Sequence, residues 1–198
     1  MKMKVDLEGA CAQLLSLDPD PERQGLQETP NRMAAALRFW TKGYAEDPND
    51  ILKSFEDGGQ SYDEMVFQGG VPIFSLCEHH LTPFFGVAHI GYIPAGEGLK
   101  KIVGLSKLSR VADVFARRFQ VQERMTRQIA DALWNNLNPL GVGVVLRCRH
   151  LCMESRGVQK IGAITYTSAL LGCFKDVPGA REEFLRFVAL ADARSSNL

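Results

Sequence analysis

The chain has 198 residues, an apolar fraction of 45% and equal numbers of basic and acidic residues, 23 of each. That length suits one well-packed domain with a small appendage. Zero formal charge leaves no net field for nucleic acid or a membrane surface, and no apolar run approaches the length of a membrane span. The N-terminal residues turn acidic at Asp6 and Glu8 before a signal-peptide core can form, so a cytoplasmic location is expected. The five cysteines are an odd number, expected in a reducing compartment as thiols or metal ligands. Cys11 and Cys173 sit among apolar residues and are expected to be buried.

In chain order, Val5, Leu7, Ala10, Leu14 and Leu15 form a rough helical stripe that predicts a helix over 5–16. Asp18-Pro19-Asp20-Pro21 breaks it. Thr29-Pro30 offers an N-cap and a first-turn proline for a helix with Met33, Ala36, Leu37 and Trp40 on one face. Asp47-Pro48 opens a shorter helix through Ile51, Leu52 and Phe55. Residues 1–60 are thus expected to be a helical appendage and 61–198 a second domain. Residues 64–75 predict a bent strand with Gly69-Gly70 as its bulge or turn, and 84–93 a second strand. A turn at Pro94 to Gly98 leads to helices over 106–118 and 121–137, the latter ended by Asn138-Pro139. Strands over 142–154 and 161–173 and a helix over 180–191 complete the chain. The order ββααββ predicts an α+β fold with an antiparallel sheet and two helices across one face. The other face and both edges are left bare, so oligomerisation is expected to cover them.

Three of the four histidines and two of the five cysteines fall in two short runs, Cys77-Glu78-His79-His80 and His150-Leu151-Cys152. A nitrogen-and-sulfur set in a chain otherwise poor in both is what zinc binds, and a catalytic site keeps three protein ligands with water in the fourth position. Cys77 and His80, three apart, can meet one ion from a turn. On an extended strand His150 and Cys152 share a face, as do Cys148 and Glu154. The expected ligands are therefore Cys77, His80 and Cys152. His150 reaches the same cavity without binding metal, and His79 points elsewhere in it. Cys148, some 13 Å from Cys152 along an extended strand, is not expected to be a ligand. His89, alone in an apolar strand, is expected to be structural.

Two basic runs flank this cavity. Ser106-Lys107-Leu108-Ser109-Arg110 opens a helix with Lys107 and Arg110 on one face, and Arg156 to Lys160 follows the His150 strand. Such groups suit a ligand with several phosphates. Taken alone, Ser-Lys-x-x-Arg reads as a solvated helix face. Glu123, in the first turn of the next helix, either serves the helix dipole or accepts from two adjacent N–H groups of a planar ring. Arg117, Arg118, Arg124 and Arg127 are expected to be surface or interface charges.

Ser75 through Gly86, Gly104 through Arg110, Gln120 through Arg124, His150 through Met153 and Arg156 through Lys160 together resemble the motifs of GTP cyclohydrolase I. The likeness runs from about Asp20 to Phe187. It implies the tunnelling fold, in which subunit sheets join into an oligomeric β-barrel and two pentamers stack into a homodecamer with active sites between subunits. It implies a hydrolase, binding GTP and zinc, that opens the purine at C8, releases formate and forms 7,8-dihydroneopterin triphosphate for tetrahydrofolate or pterin biosynthesis. By this resemblance Cys77, His80 and Cys152 hold Zn2+, and His150 and His79 are catalytic, the first as proton donor to the imidazole ring. Ser106, Lys107, Arg110 and Arg156 hold the triphosphate, Glu123 reads the guanine edge, and Gln122 lies beside the base through its backbone. No nucleic acid or membrane partner is implied.

Three departures from the family pattern stand out. The turn over 94–101 is long, Cys148 stands where a small residue is usual, and Glu154-Ser155 replaces apolar residues. With the parity of Cys152, Glu154 is expected to face the cavity and oppose the phosphates. Two other readings remain. One is a related tunnelling-fold pterin or deazapurine enzyme, against which the intact Cys77, His80 and Cys152 count. The other is a non-catalytic, metal-stabilised GTP-binding oligomer, which has no use for both His79 and His150.

Overall fold

The computed structural model describes residues 5–55, 62–95 and 102–195. The chain divides into two compact units, Met1–Lys42 and Gly43–Leu198. In the first, α1 (Leu7–Leu15) and α2 (Thr29–Trp40) pack together, with Cys11 and Ala34 buried. Asp6 caps α1 by accepting the Gly9 N–H at 2.9 Å, and Arg38 grips Glu8 through two hydrogen bonds of 2.9 and 3.2 Å. The cap position of α2 is Glu28, and Thr29 lies inside the first turn with Pro30. The proline still does its work there, since a first-turn N–H has no helical partner to lose.

The second unit opens with the short α3 (Pro48–Ile51), capped by Asp47. A two-residue strand β1 (Ser54–Phe55) follows, so Phe55 lies outside the helix expected to include it. Then come β2 (Val66–Cys77), β3 (Pro83–Ile93), β4 (Ile102–Val103), α4 (Leu105–Ala116), β5 (Phe119–Gln120), α5 (Gln122–Leu137) and β6 (Gly141–His150). The chain ends with α6 (Leu151–Glu154), β7 (Thr165–Gly172), α7 (Cys173–Asp176) and α8 (Pro178–Ser195). The main sheet has the order β5-β2-β3-β6-β7, antiparallel except for the short β5, with β1 and β4 paired apart from it. This is the expected α+β order. The long turn at 94–101 lies, from residue 96 on, outside the described residues.

Alternation sorts the sheet into two faces. Phe84, Ala88, Ile90 and Tyr92 of β3 and Val142, Val144, Leu146 and Cys148 of β6 join Leu108, Val111, Met125, Ile129 and Leu133 of α4 and α5 in the larger core. Val145, with Met65 and Phe67 beside β3, packs against Phe184 and Val188 of α8 on the opposite face. The second face is therefore covered in part by α8, where the sequence left it bare. The Gly69-Gly70 bulge explains how one strand serves both cores. Gln68 pairs with Ile90 and Val71 with Ala88, so β2 carries one extra residue and its odd positions change face. Gly91 and Gly143 leave the space that Phe184 fills, since a Cβ at either would meet its ring at 3.0 or 2.9 Å.

His89 is fully buried under α8. Its Nδ1 accepts the Gly70 N–H at 3.3 Å, and its Nε2 lies 3.2 Å from Asp192, which Arg147 also approaches. Burial pushes its imidazole below the usual range, opposed by the Asp192 charge. Its role is structural: it holds the bulge and the C-terminal helix together. Cys148 is buried against the sheet and its thiol is pushed up to about 12 by burial, so it is inert as a ligand or nucleophile. Cys173, expected to be buried, is only half-buried at the start of α7. Among the described residues no helix is long and apolar enough to cross a membrane.

Candidate metal centre

The hairpin between β2 and β3 builds half of the centre. Cys77 ends β2, its N–H donates to Thr82 O at 2.9 Å, and its carbonyl accepts from His80 and Leu81 at 3.3 and 2.8 Å. Leu81 takes a positive φ of 53°, which reverses the chain within so few residues. The tight turn brings the Cys77 Sγ to 3.6 Å from His80 Nδ1.

The other half comes from a break in β6 that strand parity does not anticipate. The strand stops at His150, and residues 151–154 wind into the single turn α6. Cys152 thus reaches the hairpin from a helical turn. Its sulfur, the Cys77 sulfur and a His80 ring nitrogen all lie within 4.8 Å of one another. Burial, and then the negative charge of Cys77, push the Cys152 thiol above its ordinary range. The Thr82 hydroxyl beside it favours the thiolate, and that oxygen is buried with no hydrogen-bond partner among the described residues. Two sulfurs and an imidazole nitrogen so close together are donors of the kind zinc takes, so this donor set fits a metal ion.

The same break redirects Glu154. It does not share a strand face with Cys152. Its carboxylate is bound by Arg149 through two hydrogen bonds, Nε to Oε1 at 2.9 Å and Nη2 to Oε2 at 2.6 Å. A matching pair braces the hairpin, where Arg124 donates to Glu78 and to Phe119 O, and the Glu78 N–H donates to Gln120 O at 3.0 Å. The Arg124 hydrogen bond holds the Glu78 carboxyl below its usual range. Arg118 is likewise tied down, donating to Gly43 O and Val114 O at 3.0 Å. Neither Arg124 nor Arg118 is a free surface charge.

His150 ends β6 directly opposite Phe84, and the two rings stack with centroids 4.6 Å apart. Its Nε2 lies 2.8 Å from Gln122 Oε1. The Gln122 amide N–H groups are committed to Leu146 O at 3.2 Å, Thr165 O at 3.0 Å and Thr167 Oγ1 at 3.0 Å. That commitment orients the amide, so its oxygen faces His150 and the imidazole must carry its proton on Nε2. Nδ1 is then the nitrogen left for chemistry. Burial pushes His150 below the usual imidazole range, and the nearby Glu123 charge opposes it. The Gln122 side chain, spanning α5, β6 and β7, faces inward, which leaves its backbone for any ligand outside. Sequence reasoning missed this role because a helix-start glutamine carries no signal of its inward partners.

The remaining candidates are less converged. His79 is mostly exposed, 3.8 Å from Glu78 Oε1 and edge-on to the His80 ring. Ser106, Lys107 and Arg110 lie on the opening turns of α4, and Glu123 on that of α5. Their side chains form no hydrogen bond or ion pair among the described residues. Arg156 reaches the centre, its Nη1 lying 3.2 Å from His80 Nε2.

The sequence profile of GTP cyclohydrolase I matches residues 7–189. A protein of Janthinobacterium sp. (strain Marseille) named GTP cyclohydrolase 1 is 56% identical over 172 residues, covering 87% of this chain and 85% of its own. One from Nitrosospira multiformis with the same name is 55% identical over 180 residues, 91% of each chain. A third, from Porphyromonas gingivalis, is 50% identical over 195 residues, 93% of this chain and 97% of its own.

Proposed function

The chain belongs to the GTP cyclohydrolase I family, and we propose that it hydrolyses GTP at C8 of the purine, releases formate and forms 7,8-dihydroneopterin triphosphate. The observation that carries this reading is the convergence of Cys77, His80 and Cys152 next to His150 on its Gln122 support. The metal proposed is zinc, held by those three residues, because two thiolates and an imidazole select it over magnesium or calcium. When bound, zinc supplies Lewis acidity that makes water a nucleophile at neutral pH.

The chain's own groups do the rest. His150, its Nε2–H fixed by Gln122, presents Nδ1 to exchange a proton with the imidazole ring nitrogen of the substrate. Its depressed proton affinity keeps it neutral in the resting site, able to take a proton up before passing it on. His79, exposed at the surface, serves later transfers including the sugar steps. Glu123 accepts from the guanine edge, with the Gln122 backbone beside it. Ser106, Lys107, Arg110 and Arg156 hold the triphosphate, for which the first three are unpaired among the described residues.

The same reading makes 61–198 a tunnelling-fold domain in a decamer of stacked pentamers. The long strand β2, paired on its outer side only at Leu76 and Cys77, and β7 leave sheet edges open among the described residues, which supports pairing between subunits. Purified, zinc-loaded protein incubated with GTP should yield formate together with a fluorescent oxidised pterin. Cys152→Ser should lose the metal and all turnover. Absence of GTP consumption by an intact, metal-loaded oligomer would sink the proposal, and formate without a pterin would restrict it to ring opening.

A further inference from the structure

The ion pair between Arg149 and Glu154 is absent from the chemistry above, yet it sits astride the turn that delivers Cys152. Glu154 is the last residue of α6 and its side chain is only 6% exposed, whereas that of Arg149 is 43% exposed. A carboxylate so enclosed is costly unless matched, and the two parallel hydrogen bonds match it in charge and shape. Arg149 is itself held, its guanidinium 5.7 Å from the ring of Phe85, the residue opposite it on β3. One end of the pair is thus anchored to the sheet and the other to the turn.

Arg149, and weakly the Gly162 backbone, hold the Glu154 carboxyl below its usual range. Lys160 N–H donates to Met153 O at 2.9 Å, so the segment after the turn folds back on it. That segment carries Arg156, whose guanidinium reaches His80. The ion pair therefore ties the end of β6 to the Cys152 turn, and the turn holds the loop of Arg156 through Met153 O.

We propose that the Arg149–Glu154 pair is a clasp that positions Cys152 for the metal and Arg156 for the substrate. Glu154 makes no contact with either ligand and acts through the backbone it holds. The inference rests on the metal-centre assignment above. Without the clasp the turn is free to unwind toward the extended conformation that its sequence also permits. Cys152 would then spend part of its time away from Cys77 and His80.

The test measures zinc affinity of the full-length protein by competition with a chromophoric chelator, together with KM and kcat at saturating zinc. Arg149→Met and Glu154→Gln should each weaken zinc binding about 10- to 100-fold, the range for residues that orient metal ligands. Both should raise KM for GTP more than they lower kcat. The double variant should be no worse than the weaker single, within about twofold, because either change opens the same clasp. Arg149→Lys, which keeps the charge without the paired hydrogen bonds, should recover part of the loss. Zinc affinity within twofold of the parent in Arg149→Met, or losses that multiply in the double, would overturn the clasp. Arg149 is exposed enough for its variants to fold should Glu154→Gln fail. A parent chain that binds no zinc would instead overturn the metal centre itself.

Discussion

Replacing Gln122 by methionine tests the link between the fold and the proton chemistry. The side chain keeps its length and loses every polar contact. Three donated hydrogen bonds go, to Leu146 O, Thr165 O and Thr167 Oγ1, together with the one accepted from His150. Thr167 keeps a partner in Thr126 at 2.6 Å, so the hydroxyl is not stranded. At a net of about 1 kcal/mol each, the two carbonyl bonds and the His150 bond sum to about 3 kcal/mol. Thermal unfolding should fall by about 6–12 °C for a chain of this size. With no acceptor for Nε2–H, His150 no longer has a preferred tautomer, and kcat should drop about 100-fold, the lower end of general acid–base contributions. Zinc content should stay at the parent level, since no metal ligand is touched. Gln122→Glu separates the two effects. It keeps an acceptor for His150 but turns a carboxylate oxygen on Leu146 O and Thr165 O, so it should be destabilised while His150 gains proton affinity. A Gln122→Met enzyme with parental kcat would refute the claim that this amide sets the His150 tautomer.

Two further outcomes follow from the other face of the sheet. His89 is neutral in the fold and its proton affinity is depressed by burial, so the unfolded chain protonates first as pH falls below about 6.5. Stability should therefore be present above that pH and decline on acidification by at most about 1.4 kcal/mol per pH unit from this group. His89→Gln should flatten the slope in urea titrations between pH 7.5 and 5.5, and an unchanged slope would remove His89 from the account. Phe184 is fully buried among Phe67, Phe174 and the two glycines. Phe184→Ala should cost about 3–5 kcal/mol and speed amide exchange in α8 while leaving zinc affinity intact. A loss under about 1 kcal/mol would mean that α8 docks by other contacts.

The element order was legible because periodicity and breakers act locally. The bulge at Gly69-Gly70 and the stop at Asn138-Pro139 rest on residues whose preferred dihedrals differ from their neighbours'. Extent was harder to read. The strand expected over 142–154 ends at His150 because the last four residues wind, and nothing in alternation marks that change. The sense of Glu154 reversed for the same reason. It faces Arg149, a partner only five residues away whose reach depends on the turn between them.

Residue type and spacing by themselves determined that this chain carries a soft ligand set, basic groups for an anion and an α+β order. Those properties follow from side-chain chemistry and short-range geometry. Only the tertiary structure decided that Cys152 arrives from a helical turn, that Gln122 faces inward to His150 and that α8 covers the second sheet face. Each of these depends on groups distant in sequence meeting in a low-dielectric interior, where an unpaired amide, carboxylate or imidazole is costly enough to choose the backbone path that satisfies it.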